Sequence, residues 1–101
     1  MYGDALEIEF RKAGIAFQRE VSLAIYYEGT RCGRYRTDFL VCGVVVVELK
    51  ATEVLHERHV SQTRNALRCS DREVALLLHF GPRPSFKRLI HTNDRKPDLP
   101  K

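Results

Sequence analysis

Three side chains able to do chemistry fall within one short stretch of this sequence, residues 35–50. Glu48 and Lys50 are two positions apart, so they share a face if the stretch is extended, and Asp38 lies on the extended run before them. Two carboxylates and one amine can therefore converge. Charged groups are costly to bury unless they are paired or bound to a metal ion, so their natural place is a strand end that opens into a cleft. Alternatively, Glu48 and Lys50 mark the solvated exit of a strand, and the E-x-K pattern alone leaves both interpretations open.

The element that leads into Glu48 is a run of four valines at residues 44–47. An uninterrupted β-branched run predicts a strand covered on both faces, because a half-exposed strand would alternate apolar with polar residues. Asp38 falls late in the preceding extended segment, residues 31–41, and a reversal at Cys42 and Gly43 joins the two. Residues 17–27 form another β-rich segment before the turn signal E-G-T, so the sequence predicts a three-stranded antiparallel meander.

Helical patterns are found on both sides of this meander. Residues 3–12 suit an amphipathic helix. The period changes after residue 52, and residues 56–68 place Val60, Thr63 and Leu67 on one narrow apolar stripe. The meander is therefore expected to lie between two helices.

A second apolar run, residues 74–80, follows the second helix. Because a helix separates it from the valine strand, we expect the two strands to pair in parallel. Residues 86–91 are expected to form a short edge strand or a turn, and residues 92–101, with two prolines and scattered charge, a disordered tail. The sequence thus predicts one domain, residues 1–91, followed by a tail, residues 92–101.

Composition limits the class of protein. With 101 residues, 44% of them hydrophobic and 30% charged, the chain is predicted to be one globular domain. No apolar run approaches the roughly 20 residues that cross a bilayer, and the N-terminus does not resemble a signal peptide, so we expect a cytoplasmic protein without membrane contact. Three cysteines without C-x-x-C spacing predict reduced thiols. The net charge of +4, supplied mainly by arginine, tilts the expectation towards nucleic acid.

An acid late in the second strand and E-x-K at the end of the third resemble the signature of the PD-(D/E)XK nucleases. More closely, the chain resembles the small bacterial and archaeal GxxExxY family within that superfamily. The resemblance covers most of the chain up to about residue 91. Its matching phrases are ALEIEFRKAGI at residues 5–15, Y-Y-x-G at 26–29, GRYRTDFLV at 33–41, VVELKA at 46–51, the helix with Gln62 and Asn65, and LLLHFG at 76–81.

The resemblance implies a metal-dependent nuclease that acts on DNA or RNA. Asp38 and Glu48 would be the ligands of Mg²⁺ or Mn²⁺, and Mg²⁺ typically takes one or two protein carboxylates while keeping several waters. Lys50 would stabilise charge on the phosphate or position the nucleophile. Gln62 matches a glutamine that the superfamily often places on the helix after E-x-K, where its amide could orient the lysine, water or phosphate. The alternative for Gln62 is a solvated surface position.

The sequence departs from the family pattern in three places. The G-x-x-E-x-x-Y motif should end at Tyr2, so its glutamate would fall two positions before Met1, which predicts either an impaired site or a start codon further upstream. Glu7 and Glu9 lie on the same helix but do not match the motif position. Thr37 replaces the eponymous proline, and Ala66 stands where relatives tend to carry an aromatic residue.

Weaker candidates surround these residues. His56 and His59 with Cys69 could suggest zinc, but no fourth ligand has suitable spacing, and a solvent-facing histidine pair is favoured. Arg34 and Arg36 either line a phosphate path or are solvated strand charges. The remaining candidates are the tyrosines at positions 26, 27 and 35, which either stack on bases or pack within the fold.

We therefore expect an α/β fold of the restriction-endonuclease type: a central mixed β-sheet, made of an antiparallel meander plus a crossover strand, flanked by helices. The leading function is phosphodiester hydrolysis in nucleic acid. One alternative is a catalytically impaired nuclease-fold module that binds nucleic acid or a protein partner, which the missing helix-one glutamate motivates. Another is an assembly component, a homodimer in which a second copy covers apolar surface left by the short first helix.

Overall fold

The computed structural model describes residues 2–101 as an α/β domain with a five-stranded sheet. The fold class expected from the sequence is confirmed. No helix within the described residues is long and apolar enough to cross a membrane. In chain order the elements are α1 (Tyr2–Lys12), β1 (Phe17–Tyr27), β2 (Thr30–Val41), β3 (Val45–Lys50), α2 (Glu57–Cys69), β4 (Val74–His79), β5 (Ser85–Ile90) and one 3-10 turn at Asn93–Arg95.

The strands lie side by side in chain order, β1 to β5. All neighbours pair antiparallel except β3 and β4, which run parallel because α2 carries the chain back between them. The predicted meander and crossover are both confirmed. In the reversal between β2 and β3, Cys42 and Gly43 have φ of 54° and 68°. Positive φ at two successive residues is typical of the short turns that join antiparallel strands.

The main core lies between the sheet and α2. It unites side chains from all five strands with the predicted stripe of α2, of which Val60, Thr63 and Leu67 are all buried. Burial of this apolar face is what stabilises a helix of this length in water. The core cluster consists of Leu23, Leu40, Val46, Val60, Leu67, Ala75, Leu77 and Leu89.

The opposite face of the sheet meets α1, which contributes no fully buried side chain. Phe10 of α1 packs edge-on against Phe39 with ring centroids 5.4 Å apart. At the start of the helix, the Tyr2 ring stacks on Phe80 at 4.6 Å. Arg19 of β1 adds an ion pair to Asp4 at 2.8 Å. The first helix is therefore held to the sheet by ring contacts and surface charge.

Residues 92–101 differ from the disordered tail expected from the sequence. Lys96 is buried and its Nζ donates to the backbone carbonyl of Ser70 at 2.9 Å. Asp98 is also buried, and its Oδ1 accepts from the backbone N–H of Glu28 at 3.0 Å. The segment is ordered because the α2–β4 junction and the β1–β2 turn offer it unpaired backbone groups, which composition does not reveal.

Candidate active site

Asp38 lies where β2 and β3 separate. The ladder between the two strands ends at the pair Phe39 and Val47. One residue further, Asp38 Oδ2 accepts a hydrogen bond from the backbone N–H of Leu49 at 2.7 Å. The carboxylate thus takes the place of a ladder carbonyl and is fixed at Leu49, the residue between Glu48 and Lys50 in the chain. The convergence predicted for these side chains has a direct structural cause.

Glu48 is the buried member of the carboxylate pair, with 4% of its surface exposed. Its Oε1 has no hydrogen-bond partner among residues 2–101. Burial raises the pKa of Glu48 to about 7, and the neighbouring Asp38 carboxylate adds to the rise, whereas Lys50 opposes it. An unpaired buried carboxylate oxygen is costly, so this atom is poised to accept a cation or a proton.

Tyr35 faces Glu48 because of an irregularity in the hairpin. Alternation would place Tyr35 and Leu40, five positions apart, on opposite faces of β2. Glu20 on β1 interrupts the pattern: it has φ of 55°, and the ladder skips its pairing with Asp38. Tyr35 consequently lies on the α2 side, where burial and the nearby Glu48 carboxylate raise the pKa of its hydroxyl. Such irregularities are common beside functional sites, where they redirect a side chain.

Two residues of α2 lie close to this group of side chains. The Thr63 side chain interacts with the Tyr35 hydroxyl. His59 lies one turn earlier, and its backbone carbonyl accepts a hydrogen bond from Thr63 Oγ1 at 3.1 Å. Burial lowers the pKa of His59, and the positive charge of Lys50 lowers it further. The inner face of α2 therefore forms one wall of the site.

Lys50 ends β3 at the crossover to α2. It is half-buried and pairs in register with His79 of β4. His79 Nε2 lies 2.6 Å from the carbonyl oxygen of Thr52, so this nitrogen carries the proton. Gly81 is required here, because a Cβ at this position would come within 2.7 Å of the same carbonyl. The loop that follows Lys50 is therefore tightly held.

The remaining candidates from the sequence occupy peripheral positions. Gln62 is exposed on α2, and its role as a helper stays a prediction. Arg36 pairs with Glu20 at 2.8 Å, and Arg34 is exposed. Sequence reasoning did not single out Thr63 as a site residue, because its place in the apolar stripe marked it only as a core position.

A cavity of about 260 Å³ opens at Asp38 on the α1 side of the sheet. Tyr2 and Gly3 of α1, Arg19 of β1 and Leu49 of β3 contribute to its lining. A larger depression of about 530 Å³ lies at residues 11–17, away from both carboxylates. Of these two cavities, only the smaller one is lined by Asp38, and neither Glu48 nor Lys50 contributes to its lining.

The donor set fits a hard divalent cation. Asp38 and Glu48 supply two carboxylates, and the unpartnered Glu48 Oε1 gives the site a free ligand atom. Within residues 2–101, no three His, Cys, Asp or Glu side chains form a cluster that could hold a metal ion by themselves. His56, His59 and Cys69 do not come together as such a cluster in this part of the chain. Asp38 and Glu48 would hold a bound Mg²⁺ ion, which typically takes one or two protein carboxylates and keeps several waters.

The carboxylates of Glu7 and Glu9 on α1 form ion pairs with neighbouring cations. Glu7 lies 3.3 Å from Arg11 and 3.4 Å from Arg19, and Glu9 lies 3.6 Å from Lys12. Neither acid joins the carboxylate pair at Asp38.

A family model for the PD-(D/E)XK nuclease superfamily matches residues 1–89. The chain belongs to this superfamily. Asp38, Glu48 and Lys50 all lie within the matched residues, and Thr37 precedes Asp38.

A solved structure has the same fold as this PD-(D/E)XK domain. The crystal structure of SSO0001 superimposes with a TM-score of 0.66 at 17% sequence identity, over 90% of this chain and 48% of the other. The domain therefore spans about half the length of that protein. No curated protein matches the chain.

Proposed function

We propose that this domain hydrolyses phosphodiester bonds in nucleic acid, DNA or RNA, in a reaction that depends on Mg²⁺ or Mn²⁺. The observation that carries the proposal is the buried Glu48 carboxylate, with one oxygen unpartnered, beside an Asp38 carboxylate fixed by the Leu49 N–H. The ordered GxxExxY phrases add to it, and on them we assign the chain to that family.

Asp38 and Glu48 would hold the cation, which when bound polarises a phosphoryl oxygen and lowers the pKa of a bound water. The chain's own groups prepare this site. The Leu49 N–H fixes the Asp38 carboxylate at 2.7 Å, and the Tyr35 hydroxyl lies against Glu48. These fixed contacts limit the reorganisation needed when substrate binds.

Lys50 is the catalytic cation in this proposal. Its ammonium group stabilises the negative charge that develops on the phosphate as the water oxygen attacks phosphorus and the bond to the leaving oxygen breaks. The attacking water gives up a proton to solvent, and the leaving oxygen takes one up. The Gln62 amide orients Lys50, the attacking water or the phosphate.

Replacing Glu48 tests the proposal directly. Glu48→Gln keeps the shape of the side chain and removes the charge, so metal-dependent cleavage of single-stranded and duplex DNA and RNA should fall by at least about 100-fold, the scale of one electrostatic contact in a transition state. Glu9→Gln, an exposed acid on α1, is the matched control and should cleave like the parent.

Circular dichroism and thermal unfolding establish that each variant is folded. Cleavage by Glu48→Gln at the parental rate, or cleavage in excess EDTA, would sink the assignment. Salt-sensitive nucleic-acid binding without cleavage at any metal concentration would instead identify the domain as a binding module.

A further inference from the structure

The edge strand β5 carries solvent-exposed apolar side chains. Leu89 of β5 packs into the core on the α2 side, so Phe86, Arg88 and Ile90 point to the other face by alternation. Phe86 is 71% exposed and Ile90 is 50% exposed. We call Phe86, Arg88 and Ile90 the β5 platform. Exposed aromatic and aliphatic groups on an edge strand mark an interaction surface.

Charge at this edge is of one sign. No acidic residue lies between Glu73 and Asp94, whereas Arg83, Lys87 and Arg88 all fall in this interval. None of the ion pairs found within residues 2–101 involves these three cations. An exposed aromatic ring beside unpaired cations suits a ligand that carries both negative charges and flat apolar groups.

The β5 platform is close to the candidate active site. Leu49, Leu78 and Phe86 form one register row across β3, β4 and β5. Two strand spacings separate the ends of this row, so the backbone of Phe86 lies about 10 Å from that of Leu49. Leu49 lines the cavity at Asp38, and Tyr2 lines the same cavity and stacks on Phe80. A strand held in the cavity at Asp38 can therefore reach Phe86 within a few nucleotides.

We propose that the β5 platform binds an unpaired stretch of the nucleic-acid substrate next to the bond that is cleaved. Phe86 stacks on one base, and Arg83 and Arg88 contact phosphates. This inference rests on the proposed function and adds a substrate class: nucleic acid with a single-stranded segment beside the cleaved bond. A base in a duplex has both faces covered by its neighbours, whereas an unpaired base can offer one face to an aromatic ring.

A second copy of the chain fits the same surface less well. Antiparallel pairing of two fully overlapping β5 strands would set Lys87 of one copy opposite Arg88 of the other, and like charges directly opposite each other destabilise a pair of strands. Unpaired nucleic acid complements both features, because its phosphates can contact the cations and its bases can stack on the Phe86 ring.

The test measures fluorescence anisotropy of a labelled single-stranded oligonucleotide and of a blunt duplex, in EDTA, at several salt concentrations. Phe86→Ala should weaken single-strand binding roughly 5- to 150-fold, the equivalent of losing one stacked base, and leave duplex binding within about twofold. Phe86→Leu keeps an apolar side chain without a ring and should lose most of the same affinity. Ile8→Ala, an exposed aliphatic on α1, is the matched control and should bind like the parent.

Arg88→Gln tests the phosphate contact separately. It should reduce the slope of log affinity against log salt by about 0.7 for the single strand. Lys12→Gln, an exposed cation of α1, should leave the slope unchanged.

The possible results separate this inference from the proposed function. Parental single-strand affinity in Phe86→Ala overturns the β5 platform, even if Glu48→Gln abolishes cleavage. Loss of affinity in Phe86→Ala supports the platform, even if Glu48→Gln cleaves normally and the nuclease assignment fails. A dimer in sedimentation velocity that Phe86→Ala dissociates, with nucleic-acid binding unchanged, also overturns the inference.

Discussion

The two faces of the sheet are covered in different ways. The face towards α2 buries side chains from all five strands in one continuous cluster, whereas α1 covers the other face with no fully buried residue. Glu48, Tyr35 and Thr63 lie on the α2 side, and the cavity at Asp38 opens on the α1 side. The closely packed face therefore holds Glu48, Tyr35 and Thr63, and under the proposed function the more loosely covered face would admit the substrate.

The largest expected effect is a loss of stability on the α2 side. Leu77→Ala would leave a cavity beneath a fully buried strand position and should lower the free energy of unfolding by about 2–5 kcal/mol. Ile8→Ala on α1 should change it by about 0.5 kcal/mol or less. Urea unfolding measures both values. Equal losses of unfolding free energy in the two variants would show that α1 packs as closely on the sheet as α2 does.

The next effect concerns the pH dependence of stability and tests the burial of Glu48. Its pKa rises from an ordinary 4.5 to about 7, so the folded state keeps a proton that the unfolded chain has already released. The stabilisation from this proton is complete below about 4.5 and is lost as pH rises through about 7. The free energy of unfolding should therefore fall by about 3 kcal/mol across this window because of Glu48 alone.

Comparing the parent with Glu48→Gln isolates this contribution, because all other groups titrate in both proteins. The difference between the two unfolding free energies should change between pH 4 and pH 8. At pH 8, added Mg²⁺ should stabilise the parent and leave Glu48→Gln unchanged. Parallel curves for the two proteins would show that Glu48 is not desolvated in the folded state.

A smaller effect is expected where the C-terminal segment holds the β1–β2 turn. Asp98→Ala removes the acceptor for the Glu28 N–H and should cost about 1–3 kcal/mol, because a partly buried donor loses its partner. The exposed Asp94→Ala serves as the control and should be neutral. Hydrogen exchange at the turn reports the change, and unaltered protection in Asp98→Ala would contradict the contact.

The smallest effect should come from the ion pairs that attach α1. Arg19→Gln removes contacts to Asp4 and Glu7 at 2.8 and 3.4 Å, which are exposed and screened by salt. Only a slight loss in thermal stability is expected at low salt, and it should vanish at high salt. A large loss that persists in salt would mean that Arg19 acts through its position over the Phe39 ring, 5.1 Å from the centroid.

Much of the scaffold followed from local patterns. The valine run predicted β3, the helical stripe of Val60, Thr63 and Leu67 predicted the buried side of α2, and the helix between two apolar strands predicted their parallel pairing. Each of these depends on residues close in sequence, for which periodicity is informative. The C-terminal segment was not predictable in this way, because its partners at Glu28 and Ser70 are distant in sequence.

The candidate site, like the scaffold, was predictable from local sequence patterns only in part. The sequence by itself determined that Glu48 and Lys50 share a face and that Asp38 comes from the neighbouring strand, since alternation along a strand is a local property. Only the tertiary structure decided that Asp38 caps the Leu49 N–H, that Glu48 keeps an unpartnered oxygen, and that Tyr35 turns towards it. These features arise where β1, β2 and β3 depart from regular pairing, at Glu20 and Asp38, and such departures depend on contacts between strands that no local pattern records.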